Sequence, residues 1–315
     1  MADPKRTKVV VALPLERSLL DQLAEYDVTV VPAGRPEDGT LETALTEAAG
    51  LLVNSHVSVD RGVIGSAPRL RVISTMSVGV DHIDLDAARE RGITVTITPV
   101  LSDAVADLAM ALMIMLSRRI PEGMRAVASG RWTGVPLGGD LSGKELLLVG
   151  FGRIGQAVAQ RALAAGMRVR YVDTRSGLPG CAGVDRIDGL SEGLRDADFV
   201  SLHVDLNAGT RDLMSREQFR AMKPSAFFVN TSRGGVVDQE ALTWALTEGE
   251  IAGAGLDVLE NEPPDPDEPL LRMTNVIVVP HIGSATTETR GAMARCAVDN
   301  LLMCLRSTGD PYVVS

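Results

Sequence analysis

Three residues in the last third of the chain could carry one reaction. Arg233 lies in Asn230-Thr231-Ser232-Arg233-Gly234-Gly235, just past an apolar run, and Glu262 follows the apolar segment that ends at Leu256-Asp257-Val258. His281 comes 19 residues after Glu262, in Pro280-His281-Ile282-Gly283-Ser284. A guanidinium bonds both oxygens of a carboxylate through its planar fork. An imidazole can carry a transferred proton, and a carboxylate beside it favours its protonated form. Taken singly, each has an ordinary reading: a surface arginine after a turn, a satisfied structural histidine, and an acid in the solvated loop Glu260–Pro269 (ENEPPDPDEP). Taken together, they match what reduction of a 2-oxo acid requires. One group holds the carboxylate, and another protonates the oxygen as it gains charge.

Such a reaction needs a hydride source, and the sequence offers a place for one. Gly150-Phe151-Gly152-Arg153-Ile154-Gly155 follows a strand-like run, Leu146–Val149, and opens a helix-like segment, Ile154–Ala165. In that setting the first glycine permits a tight turn, the second lets backbone approach a pyrophosphate, and the third allows close helix–strand packing. Gly150, Gly152, Arg153, Ile154 and Gly155 are therefore candidate dinucleotide contacts, with Thr231 beyond a later strand. Asp173 ends the next strand, 18 residues after Gly155, where a carboxylate takes the ribose hydroxyls of NAD. Arg175, two residues on, could hold the 2′-phosphate of NADP instead. NAD is the expected cofactor, with NADP as the alternative.

The elements that must position these groups alternate along the chain. Strands are expected at Lys8–Leu13, Val28–Val31, Gly50–Val53, Arg71–Thr75 and Ile93–Thr96, with helices between them. After Pro99 the series resumes with Leu146–Val149, Arg168–Val172, Phe199–His203, Ala226–Asn230, Gly253–Asp257 and Val276–Val279. Short apolar strands separated by helices imply parallel sheets covered on both faces. The expected fold is α/β, with two doubly wound parallel-sheet domains. Residues 1–98 plus 286–315 form a discontinuous substrate domain, closed by a helix over roughly Thr286–Leu305, and 99–285 form the dinucleotide domain. Ser102–Arg118 is apolar nearly all round, which predicts burial on every side, as core or between domains or subunits.

Composition excludes several other classes. The 315 residues carry 31 Lys+Arg against 41 Asp+Glu, a formal charge of −10 with no basic run. This argues against nucleic acid or an anionic membrane as partner, and any anionic ligand must be held by locally placed groups. The start has no apolar signal core, and the longest apolar stretch, Leu108–Leu116, is far too short to span a bilayer. Cys181, Cys296 and Cys304, like His56, His82, His203 and His281, are too scattered for a disulfide framework or a metal site. A cytoplasmic chain with free thiols is expected.

Over nearly its whole length the sequence resembles the D-isomer-specific 2-hydroxyacid dehydrogenases. The pieces that carry the likeness are GFGRIG with Asp173, NTSRGG, LDVLENEPP and PHIGSAT, in that order and spacing. The resemblance implies a Rossmann coenzyme domain and a flavodoxin-like catalytic domain with the active site between them, commonly in a homodimer. It implies Arg233 on the substrate carboxylate and carbonyl, His281 as acid/base, Glu262 supporting His281, and Asp257 near the nicotinamide carboxamide. Within the family, Val72–His82 looks most like the glyoxylate/hydroxypyruvate reductases, with Val78 and Gly79 offering backbone N–H groups to a small carboxylate. Asn54, Ser55 and Ser284 are further substrate candidates. His56 reads first as an ordinary loop histidine, with a substrate contact as the alternative. Pro136–Asp140 departs from that subgroup, because Gly138 and Gly139 stand where an aromatic residue often restricts the pocket, which leaves substrate size open. The same fold also serves D-lactate, phosphoglycerate, phosphite and formate dehydrogenases, and NAD-sensing interaction proteins of the co-repressor type.

Overall fold

The computed structural model describes residues 6–32, 39–176, 178 and 180–314. The chain divides into two compact units, one of residues 1–101 with 287–315 and the other of residues 102–286.

The first unit is built on a five-stranded parallel sheet: β1 (Lys8–Val11), β2 (Asp27–Val30), β3 (Ala48–Val53), β4 (Val72–Thr75) and β5 (Thr94–Thr96), in the order β2-β1-β3-β4-β5. The inner strands β3 and β4 are buried on both faces, which is why they read as unbroken apolar or small-residue runs rather than alternating ones. One face packs Val9, Val11, Leu52 and Val72 against Ala297, Leu301 and Leu305 of the last helix, Thr287–Arg306. Gly50 makes room for that helix, since a Cβ there would lie 2.9 Å from Leu301 Cδ1. Buried Ser74 donates to the Ala297 carbonyl at 2.8 Å and accepts from Thr96 at 3.0 Å, pinning helix to sheet with satisfied polar groups.

The second unit carries seven parallel strands: β6 (Glu145–Val149), β7 (Arg168–Val172), β8 (Val184–Arg186), β9 (Phe199–Leu202), β10 (Phe227–Asn230), β11 (Gly253–Leu256) and β12 (Val276–Val278). Their order is β12-β11-β10-β9-β6-β7-β8. From β6 the chain winds outward to β7 and β8, then crosses back to β9 on the other side. The topological switch point therefore lies between β6 and β9, and the glycine turn leaves β6 there. Ligands of open α/β sheets bind outside the strand C-termini at such a point.

Two local features go beyond what the sequence pattern shows. β8 was not anticipated, because Val-Asp-Arg has no apolar run; it is a short edge strand with exposed polar side chains. The helix Ser102–Ser117 is also not buried on every side of its unit. Val105, Ala106, Ala109, Met110, Leu112, Met113 and Leu116 are buried, but Asp103 and Asp107 face outward onto Arg161, and Ile114 is 42% exposed. The reason is packing on one side only: the helix lies on the helix Arg153–Ala164 and across β10 and β11. Gly255 of β11 allows the contact, as a Cβ there would sit 3.0 Å from Leu112 Cβ.

Leu112 is thus a keystone of this layer. Leu112→Ala is expected to destabilise the second unit by about 2–5 kcal/mol, the range for a fully buried leucine whose site cannot collapse. Chemical denaturation followed by circular dichroism measures it, and a loss below about 1 kcal/mol would contradict the packing argument.

Candidate active site

Four loops of the second unit leave the C-terminal ends of β6, β10, β11 and β12, and each carries part of the candidate site. The β10 loop is shaped by Asn230, which is buried. Its side-chain oxygen accepts from Ser232 N at 2.9 Å and Ser232 Oγ at 2.8 Å, and its amide donates to the Arg233 carbonyl at 2.9 Å. The chain is folded back so that Arg233 stands at the rim, with Nη1 donating to the Ser232 carbonyl at 2.9 Å. Asn230 is a shaping residue that its place at a strand end does not single out. A polar Asn-x-Ser directly after an apolar strand was the available signal.

Glu262 and His281 meet in space. His281 Nδ1 lies 2.7 Å from Glu262 Oε2, while Glu262 Oε1 accepts from Leu259 N at 3.2 Å. Burial by itself would raise the Glu262 carboxyl. The His281 hydrogen bond and charge, the Leu259 N–H and the charge of Arg233 outweigh it and hold the group below its usual range. Arg233, Glu262 and His281 therefore share one electrostatic neighbourhood within the unit.

His281 is held by Asp257. Its N–H donates to the Asp257 carbonyl at 2.9 Å, and the Asp257 carboxylate accepts from Ile282 N at 2.6 Å and Gly283 N at 2.9 Å. Each Asp257 oxygen thus bonds loop backbone, and the buried carboxyl is raised by burial, against those hydrogen bonds and the charge of His281. His281 has φ of 50°, a left-handed conformation that a non-glycine residue keeps only when its surroundings fix it. Gly283 has a steric reason, since a Cβ there would meet Asp257 Oδ2 at 2.8 Å. Ser284 follows in the same loop and is half-buried.

The glycine turn can be tested for a dinucleotide by asking which glycines the protein itself requires. A Cβ on Gly150 would lie 2.5 Å from the His203 carbonyl oxygen, and one on Gly155 would lie 2.3 Å from the Gly150 oxygen. Both are demanded by the fold. Gly152 is different: its φ is −73°, and the nearest atom to a Cβ would be Arg175 Nη2 at 3.5 Å. Nothing inside the protein needs position 152 to be bare, so the space fits an approaching ligand at the N-terminus of the helix that carries Arg153, Ile154 and Gly155. Thr231 adds a second sign, because its Oγ1 is buried without a hydrogen-bond partner among the described residues. These features fit a dinucleotide.

At the rim of the turn, Asp173 Oδ2 accepts from Phe151 N at 2.8 Å and Arg175 Nη2 at 2.8 Å, and Oδ1 accepts from Arg175 N at 2.9 Å and Nε at 3.1 Å. The Arg175 side-chain bond leads in holding the Asp173 carboxyl far below the usual range, against the effect of burial and together with the two backbone bonds and the arginine's charge. The two residues expected to discriminate between cofactors are therefore paired with each other. Sequence spacing could not show that.

In the first unit, Asn54 is buried and its side chain accepts from His56 N at 3.0 Å, leaving Ser55 and His56 exposed in a tight turn after β3. After β4, Ser77 Oγ donates to the Gly79 carbonyl at 2.7 Å, closing the loop that carries Val78 and Gly79. Gly138, in the second unit, has a packing cause of its own: a Cβ there would lie 2.5 Å from the Ser117 carbonyl oxygen. Its small size is explained without reference to a substrate. The three cysteines are free thiols, and no helix among the described residues is long and apolar enough to cross a membrane.

Comparison with known proteins agrees with the geometry. The family described as D-isomer specific 2-hydroxyacid dehydrogenase, NAD binding domain, matches residues 110–283. A protein named glyoxylate reductase from Korarchaeum cryptofilum is 46% identical over 82% of this chain and 80% of its own length. One named glyoxylate/hydroxypyruvate reductase B from Shigella boydii is 43% identical over 98% of each chain. Among solved structures, an NADPH-dependent glyoxylate/hydroxypyruvate reductase from Sinorhizobium meliloti, in complex with NADP and malonate, superposes with a TM-score of 0.87 at 33% identity, over 98% of this chain and 97% of that one. With the strand-end loops of both units, the His281–Glu262 pair and these relatives in view, the chain belongs to the D-isomer-specific 2-hydroxyacid dehydrogenase family.

Proposed function

We propose that the protein is a nicotinamide-dependent reductase of small 2-oxo acids, of the glyoxylate or hydroxypyruvate type, yielding the D-2-hydroxy acid. The observation that carries this reading is the 2.7 Å contact of His281 with Glu262, whose carboxylate also feels the charge of Arg233. When bound, the reduced nicotinamide supplies a hydride to the carbonyl carbon. Arg233 holds the substrate carboxylate through its fork and polarises the carbonyl. His281 delivers a proton to the oxygen as charge develops there, and Glu262 orients the ring and stabilises its charged form. Asp257 keeps the His281 loop in register and lies beside the carboxamide. Asn54, Ser55, Val78, Gly79 and Ser284 supply further polar contacts to the substrate. The cofactor is NAD, with its ribose hydroxyls on Asp173; Thr231 and the turn residues Gly150 to Gly155 complete its contacts.

We further propose a cytoplasmic homodimer. Supporting the dimer, the helix Ile120–Ala128 leaves Met124 65% and Val127 56% exposed, and Trp132 and Leu137 follow with 87% and 96% of their surface open. Apolar groups clustered in this way mark a contact surface. Met124→Glu is expected to shift the sedimentation coefficient from dimer to monomer at micromolar concentration; a wild-type chain that sediments as a monomer would refute the assignment.

Arg233→Ala is expected to lower kcat/KM for glyoxylate by about 10²–10³-fold, the scale of one lost electrostatic donor, and Arg233→Lys to recover little of it. Near-normal turnover in Arg233→Ala would show that another cation holds the carboxylate.

The proton step gives a pH prediction. Glu262 titrates below its ordinary value, so it is ionised across neutral pH and stabilises the imidazolium there. Reduction consumes one proton per turnover, so kcat/KM is expected to fall on the alkaline side. Protonating Glu262, which its depressed pKa confines to pH below the ordinary glutamate range, removes the partner and adds an acid limb. In Glu262→Gln the imidazolium loses its counter-charge and the alkaline limb moves to lower pH. His281→Ala is expected to cost about 10²–10⁴-fold and to abolish that limb. Profiles of kcat/KM against pH for the three proteins decide it, and an unmoved limb in Glu262→Gln would remove Glu262 from the dyad.

A further inference from the structure

We infer that Asp205, on the loop leaving β9, is a determinant of cofactor choice: it presents a second carboxylate to Arg175 and so biases the glycine turn towards NAD and against NADP. The inference rests on the reading that Asp173 lies at the adenosine ribose. The loop runs along the turn, because a Cβ on Gly150 would meet the His203 oxygen at 2.5 Å and Val204 Cγ1 at 2.9 Å, and Asp205 is the next residue. Arg175 borders the same turn two residues on, at Gly152. The loop backbone is fixed rather than loose. The Asp205 carbonyl accepts from Thr210 Oγ1 at 2.5 Å and Asn207 Nδ2 at 3.5 Å, while Asn207 N donates to Thr210 Oγ1 at 2.9 Å. Among the described residues the exposed Asp205 carboxylate accepts no hydrogen bond, so its charge is not neutralised by a partner of its own. It is felt by Arg175: the Asp173 hydrogen bond leads in raising the guanidinium, burial opposes it, and the charges of Asp173 and Asp205 both add to the rise.

Charge bookkeeping then gives the direction. Asp173 and Arg175 cancel, and Arg186, whose Nη2 donates to the Asp173 carbonyl at 2.9 Å, brings a second positive charge to the rim. Asp205 offsets part of that positive charge, so the rim attracts a phosphate dianion less strongly with Asp205 than without it. Asp205 also serves NAD directly. Ribose hydroxyls reach the Asp173 oxygens only if the Arg175 guanidinium yields its two hydrogen bonds to them, and a neighbouring carboxylate gives the displaced guanidinium a counter-charge.

The test is direct binding of NAD⁺, NADP⁺, 5′-AMP and 2′,5′-ADP by isothermal titration calorimetry to the full-length wild type, Asp205→Asn and Asp173→Ala, at low and at physiological salt. Asp205→Asn keeps the shape and removes the charge. It is expected to tighten NADP⁺ and 2′,5′-ADP by about three- to tenfold at low salt, with the gain shrinking as salt screens it, and not to tighten NAD⁺ or 5′-AMP. Unchanged affinity for the 2′-phosphorylated ligands, or equal tightening of all four, would overturn the inference. Asp173→Ala separates the two levels. If it weakens NAD⁺ while Asp205→Asn changes nothing, only the role of Asp205 fails; if it leaves NAD⁺ unaffected, the placement of the ribose on Asp173 fails.

Discussion

At Gly234 the loop that carries Arg233 lies against the loop that leads to Glu262, backbone on backbone. A Cβ there would fall 2.0 Å from the Leu259 carbonyl oxygen and 2.5 Å from Glu260 N, so no side chain of any kind fits. This approach brings a cation from the end of β10 within electrostatic reach of a carboxylate that follows β11. From there the chain of dependence runs outward. Glu262 meets His281 from the end of β12, and His281 is fixed in turn by the Asp257 backbone and carboxylate. Adjacent parallel strands deliver three loops to one edge of the sheet, but only the bare backbone at position 234 lets the first two close up.

The polar groups behind the reacting side chains follow from the same crowding. Loops pressed together at strand ends bury backbone N–H groups that the sheet no longer satisfies, and each must find an acceptor. Asn230 takes Ser232 N, Asp257 takes two N–H groups of the His281 loop, Glu262 takes Leu259 N, and Asp173 takes Phe151 N. Three of these acceptors are carboxylates. An acidic chain with little basic surplus thus spends part of its negative charge in fixing loops. Against that background the cations near the turn and the dyad, Arg175, Arg186 and Arg233, weigh heavily.

Much of this was legible in the sequence, because parallel-sheet chemistry sits at strand ends and strand ends are visible as the last residue of an apolar run. Arg233, Asp257, His281 and the turn at Gly150 all follow such runs, and most of the strands fall within a residue or two of where their β-branched stretches place them. β8 was not legible, since a three-residue strand with a single apolar side chain carries no periodic signal. Nor was the sidedness of Ser102–Ser117. An apolar helix shows how much of it can be buried, whereas the neighbour that covers it is set by tertiary packing. Small residues were the least decipherable. Gly138, Gly152 and Gly234 look alike in a sequence, yet the first is bare for a carbonyl of its own chain, the last for a neighbouring loop, and only Gly152 is bare with nothing of its backbone surroundings in the way.

The pairing of Asp173 with Arg175 shows why cofactor choice resists reading from a motif. A carboxylate at the end of β7 selects ribose hydroxyls only to the extent that its lone pairs are available, and here two guanidinium and two backbone N–H groups already use them. An arginine selects a 2′-phosphate only to the extent that its charge is not already answered, and here Asp173 binds the guanidinium while the charge of Asp205 adds to the pull. Either cofactor must therefore break an existing pair, and selectivity is the difference between two exchange reactions rather than the sum of contacts made. The sign of that difference is set by the charges that remain when the pair opens. Those charges lie on strand β8 and on the loops that leave β7 and β9, and the fold alone brings them to one rim.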